Sequence, residues 1–436
     1  MTTSRTRVIE VDTLARVEGE GALTLRVRGE QLLGVEFRIF EPPRFFEAFL
    51  RGRDFREVPD ITARICGICP IAYMMGASQA LEDVCGVTVD GTLRVLRRLI
   101  YCGEWIESHV LHMFLLHLPD FLGVPDAVAL AATHREAVTQ ALRVKKLGNE
   151  IMRAVGGREI HPVNLQLGGF YRAPERSRLA ALLPEIAWSE AALRHLLDVL
   201  AALHFPAFEV DYEFMALRHP DEYAIDRGEQ LVTSTGIAAP LSGYDALLTE
   251  NHVRHSTALQ SRRADTGTPV HLGPLARVNL NRAQLPAELQ VLAEALGLPP
   301  DCRNPFKAIL ARGIEVLYAL GEARRLIEAY REPATPAVTV EPRAGTGFGA
   351  TEAPRGICYH RYAIDAGGQV LDAKIVAPTS VNQRQIEADL YRFAATRLAL
   401  PDAELRHDCE QLIRNYDPCI SCSTHFLDLR IEREPG

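Results

Sequence analysis

Arg64–Pro70 (RICGICP) near one end of the chain and Asp417–His425 (DPCISCSTH) near the other decide how the sequence is read. Each holds a Cys-x-x-Cys pair, Cys66/Cys69 and Cys419/Cys422. Thiolate is a soft ligand suited to nickel, iron, zinc or iron–sulfur centres, and two intervening residues let both sulfurs of a pair converge on one metal. A zinc ribbon sets its pairs roughly 15–20 residues apart. Here Cys69 and Cys419 are 350 residues apart, so a shared site would tie the two chain ends together across a whole fold. Spacing alone leaves a structural zinc open. A thioredoxin-type redox pair fits less well, because neither pair follows a strand in a βαβ pattern.

The remaining five cysteines (85, 102, 302, 358 and 409) are isolated, and an odd total of nine argues against a disulfide framework. With 436 residues, 47% of them hydrophobic and 24% charged, the chain can bury a large core. A net charge of −8 and the lack of any basic, aromatic-interleaved stripe argue against nucleic acid as a partner. The first residues show no apolar leader with a cleavage site, and the longest apolar runs, Ala127–Ala132 and Val199–Leu203, are too short to span a bilayer. Neither secretion by its own signal nor membrane insertion is expected.

Outward from the cysteine pairs the periodicity is mostly helical. Pro70 suits the first turn of a helix running through Leu81. Long helical patterns cover Thr92–Leu118, Asp126–Val155, Leu183–Leu203 and Pro305–Tyr330, with shorter ones at Pro42–Gly52, Pro286–Leu296, Asn382–Leu398 and Asp402–Asn415. Alternation at Leu23, Leu25 and Val27, then Leu33, Val35 and Phe37, predicts a hairpin turning at Gly29–Glu30. A Gly-rich loop precedes a second hairpin, Gly356–Ile364 and Val370–Val376. Arg158–Pro174 reads as a loop with a tight approach at Gly168–Gly169, and Pro206–Val278 has no clear pattern. The expected fold is α+β, mainly α: a long-helix bundle core with small antiparallel hairpins and no domain boundary.

RICGICP and DPCISCSTH both resemble the signature motifs of nickel–iron hydrogenase large subunits, one near each terminus and in the same order. The resemblance implies that Cys66 and Cys419 are terminal nickel ligands and that Cys69 and Cys422 bridge nickel to an iron carrying CO and two cyanides. It implies a single large-subunit domain over 1–425 and heterolytic cleavage of H₂, with the proton going to the Cys419 thiolate. Arg16–Glu20 (RVEGE) is similar to the family string whose Glu takes that proton, so Glu18 is the implied relay, a buried carboxylate within reach of a thiolate.

Glu352–Gly356 (EAPRG) resembles the loop that suspends a guanidinium over the open metal face, which assigns Arg355; Asp417 would orient it. Val376–Asn382 (VAPTSVN) resembles the loop against the cyanides, with Thr379 as a hydroxyl donor and Pro378 as an apolar wall. Glu47, His425 and the Ile375 carbonyl match the ligands of a structural magnesium (or iron). Read without the cysteines, Glu18 is a surface acid in a turn, Arg355 an arginine in a solvated loop, and 376–382 a strand-to-helix turn.

Two departures point toward the cytoplasmic, cofactor-coupled group. Tyr73 stands where many members have a histidine beside a bridging sulfur, and Ser108, in Glu107-Ser108-His109, stands where others have an aspartate. Tyr73 can donate one hydrogen bond to that sulfur, while Ser108 lacks the carboxylate that would carry a proton or orient an arginine. The chain has no cysteines for an Fe–S relay and no G-x-G-x-x-G after a strand. An Fe–S small subunit, with NAD(P)/flavin electron-transfer subunits beyond it, is therefore implied. So are a maturation chaperone and an endopeptidase that cuts after His425, making residues 426–436 a precursor extension; a retained tail is the alternative. The alternatives are a deazaflavin- or heterodisulfide-linked enzyme, a hydrogen sensor, and a metal-free scaffold like the homologous chain of complex I.

Overall fold

The apolar alternation through Leu23, Leu25 and Val27 forms strand β2 (Gly21–Arg28), which turns at Gly29 (φ 60°) into β3 (Gln31–Ile39). Outside β2 lies β1 (Thr6–Val11), antiparallel, a strand that the hairpin pattern does not announce. The computed structural model describes residues 6–424.

The helix expected from Pro42–Pro43 starts only at Phe46 and ends at Leu50 (α1). Phe45 lies in the left-handed region (φ 54°), which the preceding turn of a helix cannot tolerate. Helix α2 (Pro70–Cys85) does start at Pro70, where the missing N–H would be unpaired anyway, but runs one turn past Leu81 to a left-handed Gly86.

Helix α3 (Gly91–Val110) is capped by Asp90, whose carboxylate accepts the Gly91 N–H. The run expected as one helix to Leu118 instead widens into a π-helical turn, Leu111–His117, before a short α-helix resumes. The wider turn re-aims the following side chains. Here it brings His112 and His117 inside together, ring centroids 5.1 Å apart. Likewise Asp126–Val155 is two helices, Ala127–Thr133 and α4 (Arg135–Gly156), broken at His134 by its non-helical dihedrals.

Helix α3 packs against α4 and α6 (Ala308–Ala329), and α6 against α5 (Leu183–Ala201). The α3–α4 crossing is close because it is built on glycines: a Cβ on Gly148 would stand 2.6 Å from the Gly103 carbonyl oxygen. The featureless stretch after Pro206 resolves into short antiparallel strands (Met215–Arg218, Gln230–Thr233, Ala238–Pro240; Leu248–His252, Leu259–Arg263) and a helix, Pro274–Asn281.

The Gly-rich segment is not a loop but strand β4 (Gly345–Ala353), the outer member of a sheet with β5 (Gly356–Ile364) and β6 (Val370–Val376). Its glycines serve close packing, since a Cβ on Gly347 or Gly349 would overlap the Ala80 or Gly76 carbonyl of α2. Helix α7 starts at Pro378, a turn earlier than expected, and runs to Ala395; α8 spans Asp402–Asn415. Among the described residues no helix is long and apolar enough to cross a membrane.

Candidate metal centre

The loop that leads into α2 and the loop after α8 converge, and the four sulfurs of Cys66, Cys69, Cys419 and Cys422 lie within 4.8 Å of one another, all buried. Cys66 Sγ is 3.4 Å from Cys419 Sγ, and Cys69 Sγ 3.8 Å from Cys422 Sγ. The Ile68 and Cys69 amides both donate to Cys66 Sγ at 3.3 Å. Sulfur hydrogen bonds, Cys419 foremost, hold the Cys66 thiol low, whereas burial pushes Cys419 and Cys422 up. Four buried thiolates would repel one another strongly, so this donor set fits a soft multivalent cation that neutralises them.

Glu18 is brought to the cluster by backbone pairing. Its carbonyl accepts the Ile420 N–H (2.9 Å), a one-residue parallel bridge between the β1–β2 connection and the C-terminal loop. Its Oε2 is 3.1 Å from Cys419 Sγ and accepts the Ser421 N–H at 3.1 Å, while Oε1 accepts the Ser421 hydroxyl. The residue is half-buried rather than fully buried as expected.

Arg355 lies in the turn between β4 and β5, fully buried. Its Nε donates to the Asp417 carbonyl (2.7 Å) and one terminal nitrogen to the Asp417 carboxylate (3.1 Å). The other reaches Ser108 Oγ at 3.4 Å, so the serine does contact the arginine despite replacing an acid. Burial works against the guanidinium charge, but Asp417 and the cysteines outweigh it. Thr379, in the first turn of α7, accepts the Cys419 N–H (3.0 Å) and keeps its own proton for a ligand; Pro378 beside it is buried.

Glu47 and Ile375 also meet, although through the Ile375 N–H, which donates to Glu47 Oε1 at 2.7 Å. Burial pushes the Glu47 carboxyl up to about 8, a group that a cation would return to its charged form. His425 lies outside the described residues. The Tyr73 hydroxyl has no partner among the described residues, so the donation to a bridging sulfur is not made; its ring stands edge-on to His360.

Two residues that build this site went unread in the sequence. Arg44 bridges the two cysteine loops, donating to the Ile65 carbonyl (2.6 Å) and to the Ser421 carbonyl. Glu104 on α3 accepts the Ile71 and Ala72 amides (2.7 and 3.2 Å) and so caps α2 where it leaves Cys69. Neither carries a local signal, since each acts across a large gap in sequence.

Behind Arg355 the chain keeps neutral histidines. Burial pushes His109 down to about 4, and His117 and His271 to about 3. Between pH 6.5 and those values the unfolded chain binds protons that the folded chain excludes, so these residues lower stability as pH falls, by about 1.4 kcal/mol per unit each. Replacing His117 with phenylalanine is expected to soften the fall of the thermal midpoint between pH 6 and 4; an unchanged slope would show that His117 titrates normally in the fold.

The family model for nickel-dependent hydrogenases matches residues 44–158 and 260–425. The alpha chain of sulfhydrogenase 2 from Pyrococcus furiosus is 34% identical over 429 residues, 97% of this chain and 100% of that protein. The matching chain of the F420-non-reducing hydrogenase vhc from Methanococcus voltae is 28% identical, covering 96% and 95%. Among solved structures, an NAD⁺-reducing [NiFe]-hydrogenase in the H₂-reduced state superposes with a TM-score of 0.88 at 26% identity, covering 96% of this chain and 99% of that one. The fold and the four-cysteine centre define a metal-dependent oxidoreductase. The chain belongs to the nickel-dependent hydrogenase large-subunit family.

Proposed function

We propose that this catalytic large subunit works in a cytoplasmic complex that oxidises or evolves H₂ and exchanges electrons with NAD(P), through an Fe–S small subunit followed by flavin-bearing ones. The observation that carries the reading is the convergence of four thiols from both chain ends, with a carboxylate on one of them. When bound there, a Ni–Fe centre with iron-bound CO and cyanides supplies the site of heterolytic H₂ cleavage. Cys66 and Cys419 would hold nickel alone, while Cys69 and Cys422 would be shared with iron. Glu47, Ile375 and His425 would hold the magnesium.

The chain's own residues then act on charge and protons. Cys419 Sγ passes its proton to Glu18 Oε2, 3.1 Å away, and the half-buried carboxylate releases it outward. The Arg355 guanidinium, fixed by Asp417 and Ser108, sets a permanent positive charge beside the thiolates and would donate to a cyanide. Thr379 would donate its hydroxyl proton to one of the cyanides, and Pro378 would supply an apolar wall.

The electron-accepting subunit fits the face where the first cysteine loop surfaces. Gly67 and Arg64 are exposed there, and Phe49, Val163 and Tyr171 stand exposed around a groove of about 580 Å³. Likeness to the NAD⁺-reducing enzyme supports NAD(P) as acceptor; likeness to a sulfhydrogenase supports sulfur as a second one. We read residues 1–425 as one domain and 426–436 as an extension removed during maturation.

The test is nickel and iron content, with an infrared spectrum, of the complex purified from its host, followed by H₂-dependent reduction of a viologen dye, NAD⁺, NADP⁺ and polysulfide. CO and cyanide bands with dye reduction are expected; zinc alone would overturn the reading. Dye reduction without nicotinamide reduction would overturn only the acceptor. In the same complex, Glu18→Gln is expected to lower H₂ oxidation about 10²–10⁴-fold at unchanged nickel content. A loss below threefold would remove Glu18 from the proton path.

A further inference from the structure

Arg355 sits in a turn, and a turn does not fix a guanidinium by itself. Asp417 and Ser108 hold the guanidinium itself, and a second arginine holds the backbone that carries it. Arg277, on the Pro274–Asn281 helix, is fully buried and makes five hydrogen bonds, one for each N–H it owns. Three go to the residues just before Arg355: the Glu352 carboxylate (3.0 Å), the Ala353 carbonyl (2.9 Å) and the Pro354 carbonyl (3.0 Å). The remaining two form a bidentate pair with Glu315 on α6, both at 2.7 Å. Its flat face lies 4.5 Å from the ring centroid of Trp105 on α3, whose indole N–H donates to the Glu352 carbonyl.

Arg277 is therefore a rigid fork joining the bundle to the turn. Its own base is tied down as well, since Tyr223 donates to Glu315 and the Leu217 N–H to Glu352. On the far side of the turn, the Asn382 amide reaches the Arg355 carbonyl at a longer 3.4 Å. Lysine cannot replace such a fork, because a point charge with three donors lacks the planar geometry that reaches two carboxylates and two carbonyls at once.

We propose that Arg277 is the positioning residue for Arg355: it clamps residues 352–354 to the helix bundle so that the Arg355 guanidinium is held at one height over the four cysteines. This rests on the role given to Arg355 above. A misplacement of the guanidinium by about 1 Å is enough to slow the reaction by about 100-fold, while the thiols that bind metal are untouched.

The test uses the whole complex with Arg277→Lys, and with Glu352→Gln, a shape-conserving change that weakens the same clamp if the first variant does not accumulate. Expected are wild-type nickel content, kcat lower by about 100-fold in Arg277→Lys with KM for H₂ little changed, and a cyanide stretching band displaced in the same sense as in Arg355→Lys. Glu352→Gln should show the same displacement with a smaller rate loss. Nickel-loaded variants with unmoved bands and wild-type kcat would overturn the clamp and leave Arg277 a packing residue. Unmoved bands and undiminished turnover in Arg355→Lys itself would overturn the reading of Arg355 on which the clamp depends.

Discussion

Cys419→Ser is expected to give a folded chain that retains no nickel and has no measurable H₂-dependent dye reduction, a loss of at least about 10⁴-fold. That corresponds to ~5.5 kcal/mol of barrier. The sulfur lies 3.4 Å from Cys66 Sγ and 3.1 Å from the Glu18 carboxylate, so one substitution removes a soft ligand and the first proton acceptor together. A serine hydroxyl is hard and does not ionise near neutral pH, and it cannot stand in for either. The fold should survive, because the Cys419 backbone keeps its bond to Thr379 and its neighbour Ile420 keeps its bond to Glu18. Elemental analysis of the purified complex and a dye assay decide it; a nickel-loaded, active variant would remove Cys419 from the ligand set.

Arg355→Lys should leave nickel in place and lower kcat by about 10²–10³-fold. Three donors of the guanidinium are already spent on the Asp417 carbonyl, the Asp417 carboxylate and Ser108. This leaves the remaining N–H groups held at a set angle toward the cluster. A lysine ammonium can satisfy Asp417 or point at the cysteines, but not both in one geometry. Positive charge is conserved, so a large loss would isolate shape from charge. Turnover per nickel within threefold of wild type would show that geometry at this position is immaterial.

The four cysteines were legible because chemistry demands them in a short, ordered string. The same holds for Pro70 opening α2 and for the β5–β6 hairpin, both governed by local backbone rules. What the sequence hid is nonlocal. Gly345, Gly347 and Gly349 look like a flexible loop, yet they pair with β5 as a strand, and α2 presses so close on Gly347 and Gly349 that no Cβ fits there. The π-helical turn at Leu111–His117 has no period that separates it from α-helix over seven residues. Arg44 and Glu104 look like ordinary charged residues on helical patterns, and Arg277 lies in the stretch that shows no pattern; their partners lie from 21 to 377 residues away. Buried charge of that kind is assigned only once the packing is known. The break at His134 and the late start of α1 at Phe46 come from backbone dihedrals, non-helical at His134 and left-handed at Phe45, that residue type alone does not announce.

The pinning of the C-terminal loop to Glu18 and Arg44 also governs when the site can come into being. At about 5–20 residues per second, some 20–70 s separate synthesis of Cys69 from synthesis of Cys419. Throughout that interval the first thiol pair is half of a chelate with nothing opposite it, open to whatever soft metal arrives first. A metal bound in that interval meets only two of the four thiols, and the four-sulfur site exists only once Cys419 and Cys422 have been made and their loop has been pinned.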